Sequence, residues 1–138
     1  MQFIKSFVLI YMLTLSLHAS VTTSWLHDFD EALVLAQKEH KDIYVFIGAD
    51  TCRFCDRFKE RTLSDAALMK DLKQRFILVY LSRDRHMIPD IFETKGVPKH
   101  YFLTPEGRVY YYTWGGRDIS GFYLELDQAE LSRDEELK

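Results

Sequence analysis

Two cysteines among 138 residues exclude a disulfide scaffold, and alone they cannot supply the four ligands of a structural zinc site. Three prolines and six glycines, with no Pro/Ser/Gly-rich stretch and no internal repeat, exclude collagenous chains, long linkers and repeat arrays. Charge of one sign is also lacking. The 18 basic and 21 acidic residues leave a net charge of −3, too little positive field to draw a phosphate backbone, so nucleic acid is not an expected partner. What is abundant is apolar. The chain is 47% hydrophobic and 14% aromatic, enough for one globular core and not for two.

The longest uncharged apolar run, residues 6–17, follows Lys5 and leads into His18, Ala19 and Ser20, which is the layout of a secretory signal. It is short of the about twenty residues that span a bilayer, which counts against a permanent anchor, the rival reading. Leu17 is larger than a signal peptidase prefers at the third position before a cut after Ala19. The expectation is a signal peptide over 1–20 and a domain over 21–138, periplasmic or otherwise exported.

Asp28 and Glu31 form a candidate capping box, and Phe29, Ala32, Leu33 and Ala36 follow at helical spacing to about His40. Residues 43–47 are a continuous β-branched and aromatic run, which reads as a strand covered on both faces, and 76–81 read the same way. Between them, Cys52 opens a helical stretch with Cys55 and Phe58 on one face, and Ser64 with Asp65 caps its continuation. Pro89 and Gly96 bracket an expected short helix over 89–95. Residues 99–103 and 108–114 flank Thr104, Pro105, Glu106 and Gly107, a hairpin with a type I turn signature. Ile119, Phe122, Tyr123, Leu126 and Ala129 predict a last helix, with 130–138 as its solvated, fraying acidic end, and 21–24 predict a short edge strand. Helices alternating with strands before a hairpin give an α/β fold whose sheet is parallel in part and antiparallel at one side.

Cys52, Arg53, Phe54 and Cys55 follow a buried strand and the loop Ala49, Asp50 and Thr51, so the Cys52 sulfur falls at the positive end of a helix, where a thiolate is favoured. Cys55 lies one turn along, placed to resolve a mixed disulfide formed on Cys52. A static staple is the bland alternative, but closing so short a loop removes little unfolded-state entropy. Arg53 is expected to stabilise the Cys52 thiolate and so move the couple toward the oxidising side, with Asp50 opposing it.

These residues, together with Gly96, Val97 and Pro98 placed before the hairpin, resemble the thioredoxin superfamily across residues 25–130. Gly48 to Cys52, Leu63 to Asp65 and the Pro-Glu-Gly turn look most like exported thioredoxin-like domains, such as the C-terminal domain of DsbD-type reductases and the SoxW-like periplasmic thioredoxins. The resemblance implies a thioredoxin fold, a central mixed sheet flanked by helices, and a cis Val97–Pro98 bond facing the cysteines. It also implies that Thr51, Phe54, Val97 and Pro98 form the edge that receives a substrate chain. The bland reading of Pro98 is a proline that begins an edge strand. Two departures stand out. Thr51 replaces the family's tryptophan, and Phe46 replaces its buried aspartate, the usual proton acceptor for the second cysteine. Asp50, Asp56 or water remain as substitutes.

The expected function is an exported protein-disulfide reductase, with Cys52 and Cys55 catalytic, no cofactor, disulfide-bearing proteins as substrates, a membrane electron donor and a monomeric state. A disulfide-forming oxidase or isomerase is the alternative within the class. The 42 residues between Cys55 and Pro98 leave no room for the oxidases' helical insertion. From another class come a peptide-binding module and a soft-metal site assisted by Met69 or Met87. Haem attachment is excluded by Asp56 where CxxCH needs histidine. His100 reads as a solvated or packed strand residue, and Tyr110, Tyr111, Tyr112 and Trp114 as sheet packing.

Overall fold

A computed structural model describes residues 25–138; the expected signal over 1–20 and the edge strand over 21–24 lie outside the described residues. Helix α1 spans Phe29–Glu39, strand β1 Asp42–Gly48, helix α2 Arg53–Arg61, helix α3 Ala66–Arg75 and strand β2 Phe76–Ser82. The hairpin follows as β3 Lys99–Leu103 and β4 Val109–Trp114, and helix α4 Ile119–Glu136 closes the chain. The sheet order is β2-β1-β3-β4, with β1 parallel to β2 and antiparallel to β3, as the element order implied.

Strand β1 is central, and its apolar run is explained by cover on both faces. Tyr44 and Phe46 enter a core with Phe58 of α2, Leu68 and Leu72 of α3 and Phe122 and Leu126 of α4. Ile43, Val45 and Ile47 enter the other, with Phe29, Ala32 and Ala36 of α1. Each fully buried Phe, Leu or Ile contributes about 1.5–3 kcal/mol. The caps are local. Asp28 accepts the Glu31 N–H at 3.0 Å, Asp65 the Leu68 N–H at 2.8 Å, and Asp118 the Gly121 N–H at 2.7 Å. At the hairpin, the Gly107 N–H reaches Thr104 O at 2.9 Å with Gly107 at φ +86°, a conformation that glycine adopts without strain.

One expectation is corrected. Residues 89–95 are a turn and not a helix: Phe92 N–H bonds Pro89 O, and Phe92 is drawn into the core against Phe29 and Tyr101. The acidic segment over 130–138, expected as the solvated end of the last helix, is mostly exposed. Helix α4 runs through Glu136, held by Arg133 on Asp42 at 2.9 Å and by Arg108 on Glu136 at 3.1 Å. In β4, Tyr110 and Tyr111 pack on the core, while Tyr112 and Trp114 are exposed.

Candidate active site

Strand β1 ends at Gly48, and the loop Ala49, Asp50 and Thr51 delivers Cys52 as the N-cap of α2. Cys52 is extended at φ −147° and ψ 98°, and its Sγ accepts the Cys55 N–H at 3.1 Å, the place a serine or aspartate oxygen takes in an ordinary cap. Helix geometry brings the Cα atoms to 5.2 Å, and the two sulfurs are bonded to each other. The pair is asymmetric. Cys52 is 9% exposed and borders a surface hollow of about 440 Å³ with Thr51, Arg53, Asp56 and Arg57, whereas Cys55 is 0% exposed.

The other expected site residues are placed as follows. Arg53 is exposed, its guanidinium 5.2 Å from the Phe54 ring centre, and Phe54 itself is 53% exposed beside the cysteines. Asp50 is turned to Ser82 Oγ at 2.7 Å and Arg85 Nε at 2.6 Å, and these bonds hold its carboxyl below the ordinary value. The Val97–Pro98 bond is cis. Val97 packs on the core cluster that contains both cysteines, and Pro98 O accepts the Gly115 N–H at 2.9 Å. The next residue, Gly116, lies against Phe54 and Phe58 of α2, so the hairpin end and the start of α2 adjoin. Met87 is exposed, and Met69 lies in a separate hollow with Lys41, Lys70 and Lys73. Among the described residues no group of three or more His, Cys, Asp or Glu side chains converges on a common point.

His100 is packed, not solvated. Its Nδ1 accepts the Tyr44 hydroxyl at 2.8 Å, its Nε2–H donates to Gly115 O at 3.0 Å, and burial pushes its pKa down to about 4. Two residues not singled out by sequence, Tyr80 and Lys59, converge with Gly48 behind Cys55. Tyr80 of β2 stands in register with Phe46, and Lys59 of α2 donates to its hydroxyl at 3.1 Å, with the ammonium 4.4 Å from the ring centre. At Gly48 a side chain is missing where one would collide: a Cβ there would lie 3.0 Å from Tyr80 Oη and 3.5 Å from Cys55 Sγ. The available signal in the sequence was the hydroxyl of Tyr80 within the otherwise apolar run 76–81.

A family model described as thioredoxin-like matches residues 24–105. Over 77% of this chain the structure is similar to a thioredoxin from Thermus thermophilus, at 25% identity, TM-score 0.64 and 86% of that chain. It is also similar to the DsbD C-terminal domain of Neisseria meningitidis, at 18% identity, TM-score 0.62 and 99% of that chain. Among curated proteins, an Archaeoglobus fulgidus protein is 32% identical over 63 residues, 46% of this chain and 50% of that one. Mouse spermatogenesis-associated protein 20 is 30% identical over 85% of this chain and 17% of its own length. The chain therefore spans half or less of these curated relatives. With the family match, the mixed sheet and the cysteine pair at the start of α2, this chain belongs to the thioredoxin-like family.

Proposed function

We propose that the chain is an exported thiol:disulfide oxidoreductase that reduces disulfides in other proteins. The observation that carries this reading is the asymmetry of the pair, with Cys52 capping α2 at the surface and Cys55 enclosed one turn on. The Cys52 thiolate attacks a client disulfide, one client sulfur leaves with the bonding electrons, and a mixed disulfide remains. The Cys55 thiolate then attacks Cys52 Sγ, which releases the second client sulfur and leaves Cys52 bonded to Cys55. Two electrons have passed to the client. An oxidising compartment holds the pair in that state, so a dithiol donor at the membrane must return the two electrons. The exposed Phe54, with Thr51 and the Val97–Pro98 segment, borders the cysteines and supplies the edge for an extended client chain.

The reducing direction is supported by the short path from α2 to Pro98, which holds α3, β2 and turns and no inserted helical domain. The test is the reduction potential of the couple against glutathione, run beside an insulin-disulfide reduction assay. The expected potential lies on the side of thioredoxin's about −270 mV, away from the about −120 mV of a strong oxidant, and insulin is reduced. A potential near the oxidant's value with no insulin reduction would reverse the direction.

Arg53→Ala is expected to raise the Cys52 pKa and move the couple to a more reducing potential, because a neighbouring cation favours the thiolate. The shift should not exceed about one unit, worth about 1.4 kcal/mol, since the guanidinium is exposed and rests on Phe54. A thiolate-absorbance titration that shows no rise removes Arg53 from the tuning of Cys52.

A further inference from the structure

An enclosed thiol attacks a mixed disulfide only after its proton has left and the resulting charge has a partner. At Cys55, Phe46 of the same core cluster offers none. Asp50 is committed to Ser82 and Arg85, and Asp56 lies on the exposed side of α2, 4.0 Å from Lys59. What stands near the sulfur is Tyr80. The two distances from the Gly48 position place its oxygen and Cys55 Sγ on the border of one small space, where a bridging water can join them. Lys59 donates to the Tyr80 oxygen, so the phenolic hydrogen is free to point elsewhere.

Resting on the oxidoreductase reading above, we propose that the Tyr80 hydroxyl, oriented by Lys59, is the donor that holds the Cys55 thiolate while the mixed disulfide is resolved. Gly48 is part of the device, because a side chain there would occupy the space the phenol and the sulfur share. Cys55 gives its proton to solvent, and the hollow of about 380 Å³ lined by Trp25, His27, Phe46, Lys59, Leu63 and Tyr80 brings solvent to the Tyr80 side. The thiolate accepts the Tyr80 hydrogen bond through that water and attacks Cys52 Sγ. The Cys52–client bond breaks, the client sulfur leaves with its electron pair, and water returns a proton to it. Lys59 is a positioning residue in this scheme, 39% exposed and acting only through Tyr80. The other ionisable groups facing Tyr80 are His27 from the segment before α1, and Arg85 and His86 from the loop after β2.

The experiment uses the reduced full-length protein and the aromatic disulfide 5,5′-dithiobis(2-nitrobenzoate), followed by thionitrobenzoate absorbance in stopped flow. Cys52 attack releases the first equivalent and Cys55 resolution the second, so the two steps are read separately. In Tyr80→Phe the second phase is expected to slow about tenfold at pH 7, the effect of losing one hydrogen bond to a charged group, and its pH profile to move upward. Lys59→Met should move the second phase in the same direction by less. The first phase, which needs only Cys52 and an intact α2, stays as in the unsubstituted protein and reports folding. A second phase with unchanged rate and pH profile in Tyr80→Phe, or in Lys59→Met should Tyr80→Phe not fold, overturns the assignment of Tyr80 alone. An unsubstituted protein with no second phase overturns the dithiol reading, and this assignment with it.

Discussion

Cys55→Ser is expected to accumulate mixed disulfides with client proteins, whereas Cys52→Ser forms none and loses disulfide reduction to the uncatalysed background. The asymmetry follows from position. Free amides and the dipole at the start of α2 place roughly half a positive charge beside Cys52, and its sulfur already accepts the Cys55 N–H. Cys55 has no surface from which to meet a protein disulfide, so it acts only on a bond already formed at Cys52. With its thiol replaced by a hydroxyl, resolution stops and the covalent complex persists. Non-reducing electrophoresis and mass spectrometry of each variant after exposure to a reducible protein read the outcome. Complexes trapped by Cys52→Ser and not by Cys55→Ser would exchange the two roles.

Folding stability is expected to fall by about 3 kcal/mol as pH drops from 6.5 to below 4, through His100. The imidazole is 1% exposed, and burial holds its pKa at about 4 against an ordinary 6.5. In the unfolded chain it protonates near the ordinary value, so between these limits the unfolded state binds more protons and stability rises with pH. Above 6.5 the contribution is complete. Charging His100 in place also disturbs a satisfied network, since Nδ1 then carries a hydrogen where it accepts the Tyr44 hydroxyl. Carboxylates act in another window: Asp50, held below its ordinary 3.8, loses stability only at lower pH. Urea unfolding at pH 7, 5.5 and 4.5 is the measurement, with His100→Gln as the comparison. The variant should keep its stability across this range, and an equal acid loss in both proteins would place the dependence elsewhere.

The cysteine site was legible in the sequence because it is local. A strand, a three-residue loop and a helix start are set by consecutive residues, and a helix dipole needs no tertiary partner to act on its N-cap. Strands β1 and β2 were legible for a similar reason, since an apolar run without alternation is compatible only with cover on both faces. Residues 89–95 misled because a helix of about two turns is marginal by itself. There Phe92 gains more in the core with Phe29 and Tyr101 than the local pattern of Pro89 and Gly96 can offset. The ion pairs that tie α4 to the rest of the fold, Arg133 to Asp42 and Arg75 to Glu130, were not legible because they join residues far apart in the chain. The surroundings of Cys55 have the same origin. Gly48 ends β1, Lys59 lies two turns into α2 and Tyr80 lies near the end of β2, so only the parallel pairing of β1 with β2 and the packing of α2 on that face bring a phenol, an ammonium and a missing side chain to one sulfur. Sequence determined which residues carry the redox chemistry, because that chemistry is set within one turn of helix; tertiary structure decided what surrounds the second thiol, because its neighbours come from three separate elements.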